Sequence, residues 1–193
     1  SGTVAGGSSS DTAGQTTTNS SLANSLASAK QAYADGLAAL TAPLLLIQGD
    51  SDATVNYTMG ALAVFGGAVN SDRTLLTYKQ AGHSIALNPA PREMRGTVWD
   101  MDWFEDPIWR QDRINAINLH FITAFLAVHL QKDDSKAAYL NVGIENSDAG
   151  EWNAPAGTPW GAYSPGGAGV TLWKGFQRRH AKGMMLQHME AAK

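Results

Sequence analysis

Two short stretches of this chain hold residue types that can pass a proton between them. Asp50 and Asp52 lie in Gly49-Asp50-Ser51-Asp52, and His83 closes Gln80-Ala81-Gly82-His83. A carboxylate that accepts the ring N–H of a histidine fixes the tautomer and stabilises the imidazolium, which leaves the far ring nitrogen free to act as a general base. Each stretch also has a plainer reading. An aspartate after a strand forms an Asx-turn or caps the next helix, and a lone Gly-His is a common surface turn.

The chemistry requires elements that bring the two stretches to one edge. Residues 43–49, Pro-Leu-Leu-Leu-Ile-Gln-Gly, are continuously apolar between a proline and a glycine, the pattern of a strand buried on both faces in a parallel sheet. Residues 73–78 (RTLLTY) predict a second strand, and 57–69 predict a helix between them despite Gly60, Gly66 and Gly67. Strand, helix, strand is a βαβ unit, and ligands of open parallel sheets bind at the carboxyl ends of the strands. Both the acids and the histidine leave such ends. Upstream, Leu22, Leu26, Ala29, Tyr33 and Leu37 recur at helical spacing over 20–40. Downstream, Ile114, Ile117, Phe121, Ala124, Phe125 and Val128 form one apolar stripe, which predicts a long helix over 109–130. Residues 172–189 predict a last helix.

These parts, taken in order, resemble the carboxy-terminal half of an α/β-hydrolase. PLLLIQGDSDATV, a helix, a strand and AGH are similar to the acid–histidine segment of that superfamily, nearest its dienelactone-hydrolase-like and prolyl-oligopeptidase-like branches. HFITAFLAVHL at 120–130 is similar to that fold's terminal helix. The resemblance covers roughly residues 20–132. It implies an α/β fold of parallel strands flanked by helices, incomplete without a partner segment. It also implies Asp52, in G-x-x-D-x-x-V, as the triad acid and His83 as the base, with Asp50 shaping the loop.

The chain departs from that family at the nucleophile. A G-x-S-x-G elbow is due before the acid in chain order, on a strand-to-helix turn, and nothing upstream of Asp52 fits. Gly82-His83-Ser84-Ile85-Ala86 is the nearest match. It would make Ser84 the nucleophile and leave His120, His129 or His180 as base, but Asn88 and Pro89 interrupt the helix that should follow. An amino-terminal Ser1 nucleophile would need a strand-borne residue, whereas Ser1-Gly2-Thr3 opens a polar tail. The resemblance therefore implies a serine hydrolase of carboxylic esters. Its nucleophile and oxyanion donors would come from a companion chain or segment carrying the elbow, as in a proteolytically processed heterodimer. An amidase or peptidase of the same fold, or a non-catalytic binding or assembly subunit, are the alternatives.

Residues 96–109 are rich in aromatics, and Trp99, Trp103 and Phe104 are expected to wall a substrate pocket beside His83 or to pack on the long helix. The remaining organisation is a flexible Gly/Ser/Thr-rich lead-in at 1–19, the hydrolase-like part at 20–141, and a loop-rich extension at 142–193 ending in a helix. The 193 residues are 44% hydrophobic, enough for one core. A net charge of −3 offers nucleic acid no basic surface. The cluster of Lys174, Arg178, Arg179 and Lys182 has the spacing of a solvated helix face. Cysteine is absent, which excludes disulfides and thiolate sites. His120, His129, His180 and His188 show no HxxxH or HxH pair, so no metal and no other cofactor is expected. No run reaches the roughly 18 apolar residues of a membrane span. No signal peptide is visible, and a mature secreted or periplasmic protein would look the same after cleavage.

Overall fold

The computed structural model describes residues 11–85, 90–97, 104–151 and 171–192, the side chains of 11–20 apart. Helix α1 (Asp11–Ala38) leads into strand β1 (Leu44–Gly49). A π-helical turn (Thr58–Leu62) then runs directly into α2 (Ala63–Gly67). Strand β2 (Arg73–Tyr78), the long helix α3 (Gln111–His129) and strand β3 (Met184–Met189) follow, with short 3-10 turns between them.

The architecture is mixed α/β, around a three-stranded sheet of order β1-β2-β3. β1 and β2 are parallel and end level, Leu44 opposite Arg73 and Gly49 opposite Tyr78. β2 is central, and all six of its residues are buried. Its alternate side chains feed two cores. Leu75 packs with Ala61 and Phe65 on the α2 side. Leu76 and Tyr78 join Ile114, Ile117 and Phe121 of α3, with Trp173 and Phe176, on the other. The α3 stripe expected from the sequence therefore does face the sheet. β1 has no neighbour on its outer edge among the described residues, and Leu44 to Ile47 remain only half-buried.

Two expectations need correction. The first is the flexible lead-in at 1–19. The helix already begins at Asp11, and no proline between Ser1 and Ala42 stops it from extending that far; residues 1–10 lie outside the described ones. The second is the final helix over 172–189. A 3-10 turn (Arg178–His180) and β3 stand there instead, with Gly183 at φ +88 between them. Met184 and Leu186 point inward while Met185 and Gln187 are half-exposed, a period of two. Met and Gln are good helix formers, but the open edge of β2 outweighs that local preference. The two strands expected to be parallel, β1 and β2, are so, and β3 adds an antiparallel strand on the other side of β2, Tyr78 opposite Met184.

Candidate functional site

The parallel ladder carries on past the strand ends. Asp50 N–H donates to the Tyr78 carbonyl (3.1 Å) and Ser51 N–H to the Ala81 carbonyl (3.0 Å), so the loops after β1 and β2 run side by side. Gly49 makes this possible, since a Cβ there would collide with the Ala81 carbonyl. Asp50 ties the loops together. Its Oδ1 accepts the Gln80 N–H at 2.6 Å, holding Gln80 in the left-handed region at φ 59.

Two residues on, Asp52 and His83 meet. His83 Nδ1 lies 2.9 Å from Asp52 Oδ2. The Asp52 side chain is 4% exposed and that of His83 is 56% exposed. Asp52 Oδ1 accepts the N–H groups of Thr54 (2.8 Å) and Val55 (2.9 Å), an Asx-type turn. Gln48 Nε2 approaches Oδ2 at 3.3 Å. Burial acts to raise the pKa of this carboxyl, but the His83 bond and the two amide bonds outweigh it and hold the value below 3.8. Asp52 is therefore an acceptor only at neutral pH, so Nδ1 carries the ring proton. In the neutral imidazole the lone pair is then on Nε2.

The histidine loop is clamped from both sides. Asp106 Oδ2 accepts the Gly82 N–H at 2.7 Å, and its Oδ1 accepts the N–H groups of Ile108 and Trp109. Asn118, buried on α3, donates to the Ile85 carbonyl (2.7 Å) and accepts the Tyr78 hydroxyl (2.7 Å). Burial drives the Tyr78 pKa up, so this phenol stays protonated and donates. None of Gln48, Asp106 and Asn118 was singled out from the sequence. Gln48 and Asn118 are nevertheless polar residues where apolar ones are due, at the end of an apolar strand and inside an apolar stripe, whereas Asp106 lies in a polar Glu-Asp-Pro stretch and gives no such signal.

The other sequence-derived candidates stand apart from the pair. Trp99 and Trp103 lie outside the described residues. Phe104 is half-buried, and its carbonyl accepts from Gln111 at 3.4 Å. Ser84 is half-buried beside His83. The bases it would need are engaged elsewhere. His120 packs edge-on against Phe121, Tyr139 and Phe176, and burial pushes its pKa down. His129 packs on Phe125, and His180 lies on an exposed turn. A cavity of about 540 Å³ between α3 and that turn is lined by Arg113, His120 and Phe176, and includes neither Asp52 nor His83. Of the pair, the His83 side chain is exposed and that of Asp52 is not.

Among the described residues no group of three or more His, Cys, Asp or Glu is placed to hold a metal ion, and no helix is long and apolar enough to cross a membrane. No family model matches the chain, and no curated protein or solved structure matches it.

Proposed function

We propose that this chain supplies the acid and the base of a serine hydrolase acting on carboxylic esters, with the nucleophile on a companion chain or segment bearing a G-x-S-x-G elbow. One observation carries this reading. A buried, ionised Asp52 holds the Nδ1–H of an exposed His83 at the level ends of two parallel strands. A general base of this kind needs one ring nitrogen held by a carboxylate and a side chain that a reacting group can reach, and His83 meets both conditions.

In the proposed reaction the serine hydroxyl loses its proton to His83 Nε2 as its oxygen bonds to the ester carbonyl carbon. Asp52 stabilises the imidazolium so formed. The imidazolium returns the proton to the departing alkoxide, leaving an acyl-serine. Water then repeats the sequence, with His83 again as base, and releases the acid. Backbone amides of the companion would hold the oxyanion.

The test is hydrolysis of a p-nitrophenyl ester by the assembled protein and by its His83→Ala variant. Loss of a triad member costs on the order of 10⁴ to 10⁶ in rate. A variant within about tenfold of the parent removes His83 from the mechanism.

A further inference from the structure

We propose that Gln48 is the positioning residue of the acid, a role that rests on reading Asp52 and His83 as an acid–base pair. Gln48 is the one polar side chain in β1, and it is 7% exposed. Its Oε1 accepts the Ala61 N–H at 2.9 Å. That backbone group can only donate, so the orientation of the carboxamide is set and its Nε2 faces two acceptors. Those are the Val55 carbonyl at 2.6 Å and Asp52 Oδ2 at 3.3 Å. Val55 in turn donates its own N–H to Asp52 Oδ1. The 52–55 loop is thereby held at both backbone groups of Val55, its N–H by Asp52 and its carbonyl by Gln48. The Oδ2 that faces Gln48 is also the one that receives His83, so Gln48 acts on the base through the acid.

The π-helical turn belongs to the same device. Gly60 N–H bonds four residues back to Asn56, while Leu62 N–H bonds five residues back to Tyr57. The ladder changes step between them, and the N–H of Ala61 at that step goes to Gln48. One side chain thus accounts for both the irregular helix and the set of the acid loop.

Gln48→Glu and Gln48→Met in the assembled protein test this, read by kcat and KM for a p-nitrophenyl ester and by the carbon-13 titration of the Asp52 carboxyl. Gln48→Glu keeps the acceptor for Ala61 but places a second carboxylate against Asp52. Its kcat is expected to fall about 10²-fold with KM unchanged, since a misaligned general base loses the contribution of proton transfer. The deficit relative to the parent shrinks as pH falls, where a shared proton restores a donor, and the Asp52 midpoint rises. Gln48→Met also loses kcat, without that recovery, and raises the Asp52 midpoint less. A lower stability with kcat and the Asp52 titration unmoved overturns the proposal. In the parent itself, the Gln48 side-chain amide protons are expected to shift as Asp52 titrates, and flat resonances overturn it without any variant. The two NMR readings need no turnover, so they decide Gln48 even if His83→Ala shows that the hydrolase reading fails.

Discussion

Asp50 and Asp52 leave the same end of β1 two residues apart, and their carboxylates serve different partners. Asp50 Oδ1 accepts a backbone N–H from Gln80, and Asp52 Oδ2 faces the His83 ring. The first bond joins main-chain loops and the second reaches the candidate base. Removing the charge separates these roles. Asp52→Asn keeps the shape but turns a donor toward Nδ1, which favours the wrong tautomer, and is expected to cost roughly 10⁴ in kcat. Asp50→Asn retains an acceptor oxygen for Gln80 and is expected to cost far less. Ester turnover by the two variants checks this, and the reverse order would shift the acid by two positions.

The depressed pKa of Asp52 links the pair to stability. Its carboxyl titrates below 3.8 in the folded protein and near 3.8 in the unfolded chain, so the folded state binds its proton less readily. The stabilisation is fully present above the unfolded value and disappears as pH falls through the folded one. Urea unfolding of the assembled protein is expected to show Asp52→Asn less stable than the parent near neutrality. The gap should narrow only once the pH drops below about 4. A gap of constant size down to the lowest accessible pH would deny the carboxylate its linkage.

Asp106 holds the turn that carries the base. Its two oxygens take three backbone N–H groups, from Gly82, Ile108 and Trp109, and the residue is buried. Asp106→Asn offers one acceptor oxygen and directs an NH₂ group at a donor. Stranding a buried N–H costs about 1–3 kcal/mol. The expected outcome is a loss of that size in unfolding free energy together with a lower kcat, because Gly82 precedes His83. An unchanged kcat in a measurably less stable variant would confine Asp106 to folding.

Elements whose character repeats along the chain were legible in the sequence. β1 is an apolar run between breakers and α3 carries a stripe of six apolar residues, so their burial could be read directly, whereas β2 (RTLLTY) is buried throughout although Arg73, Thr74 and Thr77 are polar. The Asp52 and His83 stretches were legible because each follows a segment with the pattern of a strand. β3 was not, because MMLQHM has helix-forming residues and its strand state comes from pairing with β2. Gln48, Asp106 and Asn118 were not, because their value lies in backbone groups brought to them from 13 to 33 positions away. No local pattern encodes such a partner.

Expressed alone, residues 1–193 are expected not to behave as a stable, cooperative monomer. β1 pairs on one side only among the described residues, and its four leading apolar side chains are half-buried. Helix α1 displays Leu22 (64% exposed), Leu26 (57%) and Tyr33 (52%) at helical spacing, an apolar stripe without cover. An open strand edge is a template for self-association, since each backbone N–H and C=O there can bond a second chain, and an uncovered apolar stripe adds to that tendency. A companion strand laid on β1, with its own apolar cover, would satisfy both at once. Co-expression with a chain bearing the nucleophile elbow is therefore expected to rescue solubility. The resulting interface should resemble a core cut in two and exceed about 2,000 Å². Urea unfolding beside size-exclusion chromatography of the isolated chain checks this. A sharp two-state transition from a monodisperse monomer would remove the need for a companion and favour an independent binding subunit.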